Sequence, residues 1–87
     1  MGKMKMLELQ RNYISSLPEE WVELENIFVI DLHTNQLKEL PQGFIDALKN
    51  ARRLEMYLSV NYFSREHIDM VQKALPNADI MSSRQRQ

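Results

Sequence analysis

The side chains best suited to chemistry in this 87-residue chain are Glu8, Asp31, Tyr57 and Asp79, one in each of four similar segments, with His33 two residues after Asp31. A carboxylate beside an imidazole can pass protons, and Glu8, Asp31, His33 and Tyr57 on one face would be an acid and base set. The same groups can hold Lys or Arg of a partner. An open sheet surface has no cleft to exclude water or shift a pKa, so the pattern predicts binding without catalysis. Metal ligation is not indicated: the chain has no Cys, and His33 and His67 do not have the spacing of a ligand pair. Met1, Met4 and Met6 suggest a soft-metal site only until Met4 is assigned to an apolar position and Met1 to initiation. The only glycines are Gly2 and Gly43, so no phosphate-binding loop is present. No cofactor is implied.

The elements that must position these residues follow from a recurrence. Met4, Leu7, Leu9, Asn12, Ile14, Leu17 and Pro18 return 23 residues later as Ile27, Ile30, Leu32, Asn35, Leu37, Leu40 and Pro41. Two apolar residues separated by one lie on the same side of an extended segment. Leu7/Leu9, Ile30/Leu32, Met56/Leu58 and Ala78/Ile80 are thus the expected inward pairs of four short parallel strands. Parallel pairing needs a long return connection, which the spacing of these pairs supplies. After three of the strands stands an asparagine, Asn12, Asn35 and Asn61, whose amide has donors and an acceptor for the unpaired backbone of a bend. These three are expected to form a buried ladder. In the fourth segment Ser83 is assigned to the asparagine position.

The segments Met4 to Ile14 and Ile27 to Leu37 resemble the leucine-rich repeat family, with Met56, Leu58, Asn61 and Phe63 as a third copy and Leu75 to Ile80 within a shorter fourth. The resemblance implies an α/β fold: a leucine-rich repeat solenoid, with a short parallel β-sheet on the concave face and helices or turns on the convex face. It covers residues 4–83 as a single domain of about 3.5 repeats. Within it, 64–83 act as a carboxyl-terminal cap, and 1–3 and 84–87 are tails. A solenoid of this kind buries each turn against the next and presents a surface.

The return segments differ. Glu19 to Leu24 has the composition of one or two helical turns after Pro18, with Trp21 and Leu24 inward. Phe44, Leu48 and Ala51 recur at helical spacing, which predicts a helix over about residues 43–51. Ser64 is the expected N-cap of a further helix that buries Ile68, Val71, Ala74 and Leu75 and stops at Pro76. Its outer face, with Arg65, Glu66, Asp69, Gln72 and Lys73, is polar, as a cap requires. Trp21, Phe44 and Phe63 are read as core.

On the concave face that the resemblance implies, outward residues stack in three columns. One holds Glu8, Asp31, Tyr57 and Asp79, the second Met6, Val29, Glu55 and Asn77, and the third Gln10, His33, Ser59 and Met81. The expected binding residues are Met6, Glu8, Val29, Asp31, His33, Glu55, Tyr57 and Asp79, acidic with apolar neighbours. They suit a protein surface carrying Lys or Arg. An alternative is that the acids only keep the face solvated. A second function is self-association. Only Met1-Gly2-Lys3 precedes the first strand, which leaves an open sheet edge at Met4, Met6, Leu7 and Leu9, tempered by Lys3 and Lys5. Such a chain is either short by nature and paired as a homodimer, or part of a longer solenoid.

With 11 Lys and Arg against 12 Asp and Glu, the formal net charge is −1, and Arg52-Arg53 and Arg84-Gln85-Arg86 are short clusters that do not predict nucleic-acid binding. Residues 82–87 are read as a frayed end. No segment has the length and hydropathy of a membrane span, and the amphipathic stretch 65–75 is needed to cover the core. The absence of Cys and of a leader-like apolar run in residues 1–16 predicts an intracellular, cytoplasmic setting.

Overall fold

The computed structural model describes residues 5–21, 24 and 26–87. The expectations for Met1, Lys3 and Met4, and for the helical turn through Val22 and Glu23, lie outside these residues. Four parallel strands form one sheet in sequence order: β1 (Met6–Glu8), β2 (Val29–Asp31), β3 (Leu54–Tyr57) and β4 (Ala78–Met81). Two helices complete the described elements, α1 (Gln42–Leu48) between β2 and β3, and α2 (Arg65–Ala74) between β3 and β4.

The apolar alternation decides which face is covered. Leu7, Ile30, Met56 and Ile80 align across the four strands, and Leu54 aligns with Ala78. Ile30, Met56 and Leu54 share one core with Phe44, Ile45 and Leu48 of α1 and Val71 of α2. At roughly 1.5–3 kcal/mol for each fully buried large apolar side chain, this row is the main stabilising term. It thins toward β1, where Leu7 and Leu9 are only half-buried. Trp21 packs its edge on Phe44, with centroids 4.8 Å apart, and donates its indole N–H to the Pro18 carbonyl.

Helix α1 is shorter than the periodicity of Phe44, Leu48 and Ala51 predicts, ending at Leu48, with Ala51 in the connection to β3. Its start is fitted closely to the preceding return segment. A methyl group on Gly43 would run into the backbone oxygen of Glu19, so a residue without Cβ is required there. Helix α2 begins as expected: the Ser64 hydroxyl accepts from His67 N–H at 3.0 Å and caps the first turn. Gln72 donates to the carbonyls of Leu75 and Ala78, which ties the end of α2 to the outer side of β4.

Beyond the strands the backbones stay in register, with Arg11 N–H donating to His33 O and Thr34 N–H to Ser59 O. The chain then turns sharply through a left-handed residue: Arg11 (φ 61°), Thr34 (59°), Val60 (59°) and Arg84 (60°). Each stands directly before an amide side chain, Asn12, Asn35, Asn61 or Gln85.

Candidate interaction surface

The turns are held by side-chain amides. The Asn35 carbonyl oxygen accepts from the backbone N–H of Asn12 and Ile14, both at 2.9 Å, and its NH2 donates to Leu9 O and Leu32 O. Asn61 accepts from Leu37 N–H at 2.9 Å and donates to Leu32 O and Leu58 O. Asn35 and Asn61 are buried, whereas Asn12 is exposed and bonds the carbonyls of Leu9 and Gln10 in its own turn. The expectation of three buried asparagines is therefore corrected at Asn12, which lies at the thin end of the core.

The fourth amide is Gln85. Its oxygen accepts from Asn61 N–H at 3.2 Å and Phe63 N–H at 3.1 Å, and its NH2 donates to Leu58 O and Ser82 O, both at 2.9 Å. It repeats the bonding of Asn35 two turns further on, and Arg86 N–H adds a bond to Asn61 O. Ser83 does not fill this role; its hydroxyl lies 3.4 Å from that of Ser59. The sequence signal was there, since Gln carries the same amide on a stem longer by one methylene.

This shifts β4 by two residues from the expected alignment and changes all three outward columns, Met81 leaving the column of Ser59. Asp79 stands opposite Glu55, and Met81 opposite Tyr57. Asn77 precedes the strand. Ala78 aligns with Leu54 and Ile80 with Met56, instead of Met56 and Leu58. The observed columns are Met6, Val29, Glu55, Asp79 and Glu8, Asp31, Tyr57, Met81. The physical reason is polar satisfaction: in this register one glutamine bonds four partly buried backbone groups, sharing Leu58 O with Asn61.

The corrected columns give the open face a diagonal pattern. Glu8 and Asp31 are neighbours across β1 and β2, and Glu55 and Asp79 are neighbours across β3 and β4. The other two corners are apolar, Met6 beside Val29 and Tyr57 beside Met81. Adjacent strands lie about 4.8 Å apart, so each acidic pair brings like charges side by side, an arrangement that destabilises a sheet by roughly 0.2–1 kcal/mol per pair. No Lys or Arg forms an ion pair with any of these four carboxylates among the described residues. Among the described residues Asp31 is bonded by His33, whose backbone N–H donates to it at 3.3 Å and whose Nε2 is 3.7 Å away. His33 Nδ1 lies 2.8 Å from the Thr34 hydroxyl.

Tyr57 donates its hydroxyl to Glu55 at 2.9 Å. That bond, with the charges of Glu55 and Asp31, raises the phenol's pKa, so the ring presents a neutral edge at physiological pH. Beside it, Glu55, Tyr57, Gln72, Asp79 and Met81 line a shallow groove that runs to the outer side of β4. Together the eight expected residues occupy one surface: Met6, Glu8 and Asp79 exposed, Val29, Asp31, His33, Glu55 and Tyr57 half-buried. Chemically the surface can accept two cations and bury apolar area at the two remaining corners. Among the described residues no group of three or more His, Asp or Glu is arranged to hold a metal ion, and no helix is long and apolar enough to cross a membrane. Neither the models of known protein families nor the curated proteins contain a match to this chain.

Proposed function

We propose that the chain is a short leucine-rich repeat unit and a non-catalytic protein-interaction module. Its open sheet face would receive a partner segment carrying two basic residues. The 23-residue recurrence, the sequential parallel sheet and the amides of Asn35, Asn61 and Gln85 support the family reading. The observation that carries the function is the pair of like-charged neighbours, Glu8 with Asp31 and Glu55 with Asp79, left without Lys or Arg among the described residues. Parallel sheets are usually covered on both faces, and here the helices and the buried residues share one side. A Lys or Arg entering each acidic pair would relieve the repulsion, and Met6, Val29, Tyr57 and Met81 would supply apolar contact.

The test is calorimetric titration with peptides that carry two Lys or Arg residues at spacings of about 5 to 15 Å, bracketing two strand separations. Asp31→Lys, Asp79→Lys and Tyr57→Ala should each weaken the complex by about tenfold or more, equivalent to roughly 1.4 kcal/mol. Affinity unchanged in all three would remove this surface from consideration.

A second reading is self-association through β1. It rests on Met6, which is 47% exposed on a strand that, among the described residues, pairs with β2 alone. Antiparallel pairing of β1 with its counterpart would make a continuous sheet across a two-fold axis.

A further inference from the structure

We infer that the turns at the trailing end of the sheet form a second binding site, for a compact oxyanion carried on an aromatic group. A cleft of about 300 Å³ opens there, lined by Arg11, Tyr13, Thr34, Asn35, Gln36 and Arg86. It is distinct from the acidic face and does not depend on the proposal made for it.

Three observations converge. Arg11 and Arg86, from opposite ends of the chain, line the same cleft; both are exposed, and neither forms an ion pair among the described residues. None of the six lining residues is acidic. Gathering like charge without a counter-charge is unfavourable, and an anion between the guanidinium groups reverses the sign of that cost. Second, Tyr13 is 82% exposed, the most exposed large apolar side chain of the described residues, and its backbone is left-handed at φ 55°. A bulky residue costs energy in that conformation, and here no burial of the ring offsets it. Third, the Arg86 guanidinium lies over the ring of Tyr62, 5.9 Å from its centroid, which restrains the cation beside the cleft.

The donors set the ligand class. Two guanidinium groups, the Gln36 amide and the Tyr13 hydroxyl suit phosphate or carboxylate oxygens, and the Tyr13 ring gives a flat apolar wall. A long polyanion is disfavoured because Glu8 and Asp31 stand on the adjoining face of the same strands. The group that fits is an aryl phosphate or aryl carboxylate, borne by a peptide side chain or free.

Phenyl phosphate is the first probe, followed by amide resonances in two-dimensional NMR, with inorganic phosphate and phenol as controls. Saturable shifts are expected at Arg11, Tyr13, Gln36 and Arg86. Inorganic phosphate and phenol should each bind several-fold more weakly. Arg11→Gln and Arg86→Gln should each weaken phenyl phosphate binding about tenfold, and Tyr13→Ala about fivefold. All three residues are exposed, so retained amide dispersion separates lost binding from lost folding. A phosphotyrosine peptide that binds more tightly than phenyl phosphate assigns the group to a protein partner, and equal affinity assigns it to a small molecule; both support the site. The proposal is overturned by absence of saturation up to about 10 mM, by inorganic phosphate or phenol binding as well as phenyl phosphate, or by variants that bind like the parent.

Discussion

Asn61 accepts Leu37 N–H and donates to the carbonyls of Leu32, Leu58 and Ser59 from inside the core; the carbonyls keep second donors in Asn35, Gln85 and Thr34, so its replacement strands chiefly the Leu37 N–H. At about 1–3 kcal/mol for the stranded N–H, with the bonds to the carbonyls lost as well, Asn61→Ala is expected to cost about 2–4 kcal/mol in denaturant unfolding. Gln85→Ala is the sharper experiment because the sequence places that residue in a frayed tail. The four bonds of its amide predict a loss of about 1–2 kcal/mol, whereas a frayed residue would give less than about 0.5 kcal/mol. Val60 bears a different cost. It is β-branched in a left-handed turn, at φ 59°, where Asn or Gly is tolerated far better. Val60→Gly and Val60→Asn should therefore raise stability, by about 1 kcal/mol or a midpoint shift of several degrees; a loss in both would mean that the valine side chain contributes more than the turn costs.

Helix α2 is joined to the preceding turn by one titratable contact. His67 Nε2 accepts from Leu40 N–H at 2.8 Å, with the ring stacked on Phe63, and this bond exists only when that nitrogen carries no proton. Partial burial lowers the His67 pKa below the ordinary 6.5, with the charge of Glu39 opposing the shift. The folded chain thus binds this proton less readily than the unfolded chain. The associated stability is complete above the unfolded value, falls as pH drops through about 6.5, and levels off below the folded pKa. His67→Gln keeps an acceptor that does not titrate. The parent should lose more stability than the variant between pH 7.5 and 5 in parallel urea titrations, and parallel curves would remove His67 as the cause. Elsewhere the elements follow local rules: Ser64 caps α2 as its position predicts, but α1 stops at Leu48 although Ala51 continues the apolar spacing. Periodicity reports which residues face the core, and Ala51 does so from an irregular connection.

For the whole molecule, the acidic face sets stability against recognition. If Glu8, Asp31, Glu55 and Asp79 are kept for a basic partner, the free protein carries their repulsion. Asp79→Lys should then stabilise the free chain by up to about 1 kcal/mol at low salt while weakening capture of a dibasic peptide. Stability and binding that fall together would mark Asp79 as structural instead. The edge at β1 is tested at the same scale by light scattering over a hundredfold range of concentration. A mass near 10.4 kDa throughout excludes pairing, whereas a mass near twice that, reduced to one chain by Met6→Lys, supports it.

Apolar alternation by itself determined the first three strands and their inward residues, because a strand with one buried face admits only one parity. It also located the asparagines of the turns and placed the carboxylates outward. The position of β4 was left to tertiary structure. A period of two is unchanged by a shift of two, so Ala78/Ile80 fits the apolar pattern whether opposite Met56/Leu58 or Leu54/Met56. The Gln85 amide, meeting Asn61 N–H, Phe63 N–H and Leu58 O across space, separates the two alignments, with Gln72 on Ala78 O and Arg86 N–H on Asn61 O beside it. The diagonal of acidic and apolar corners follows from that choice. So does the cleft that joins Arg11 to Arg86, residues too far apart along the chain for local spacing to unite.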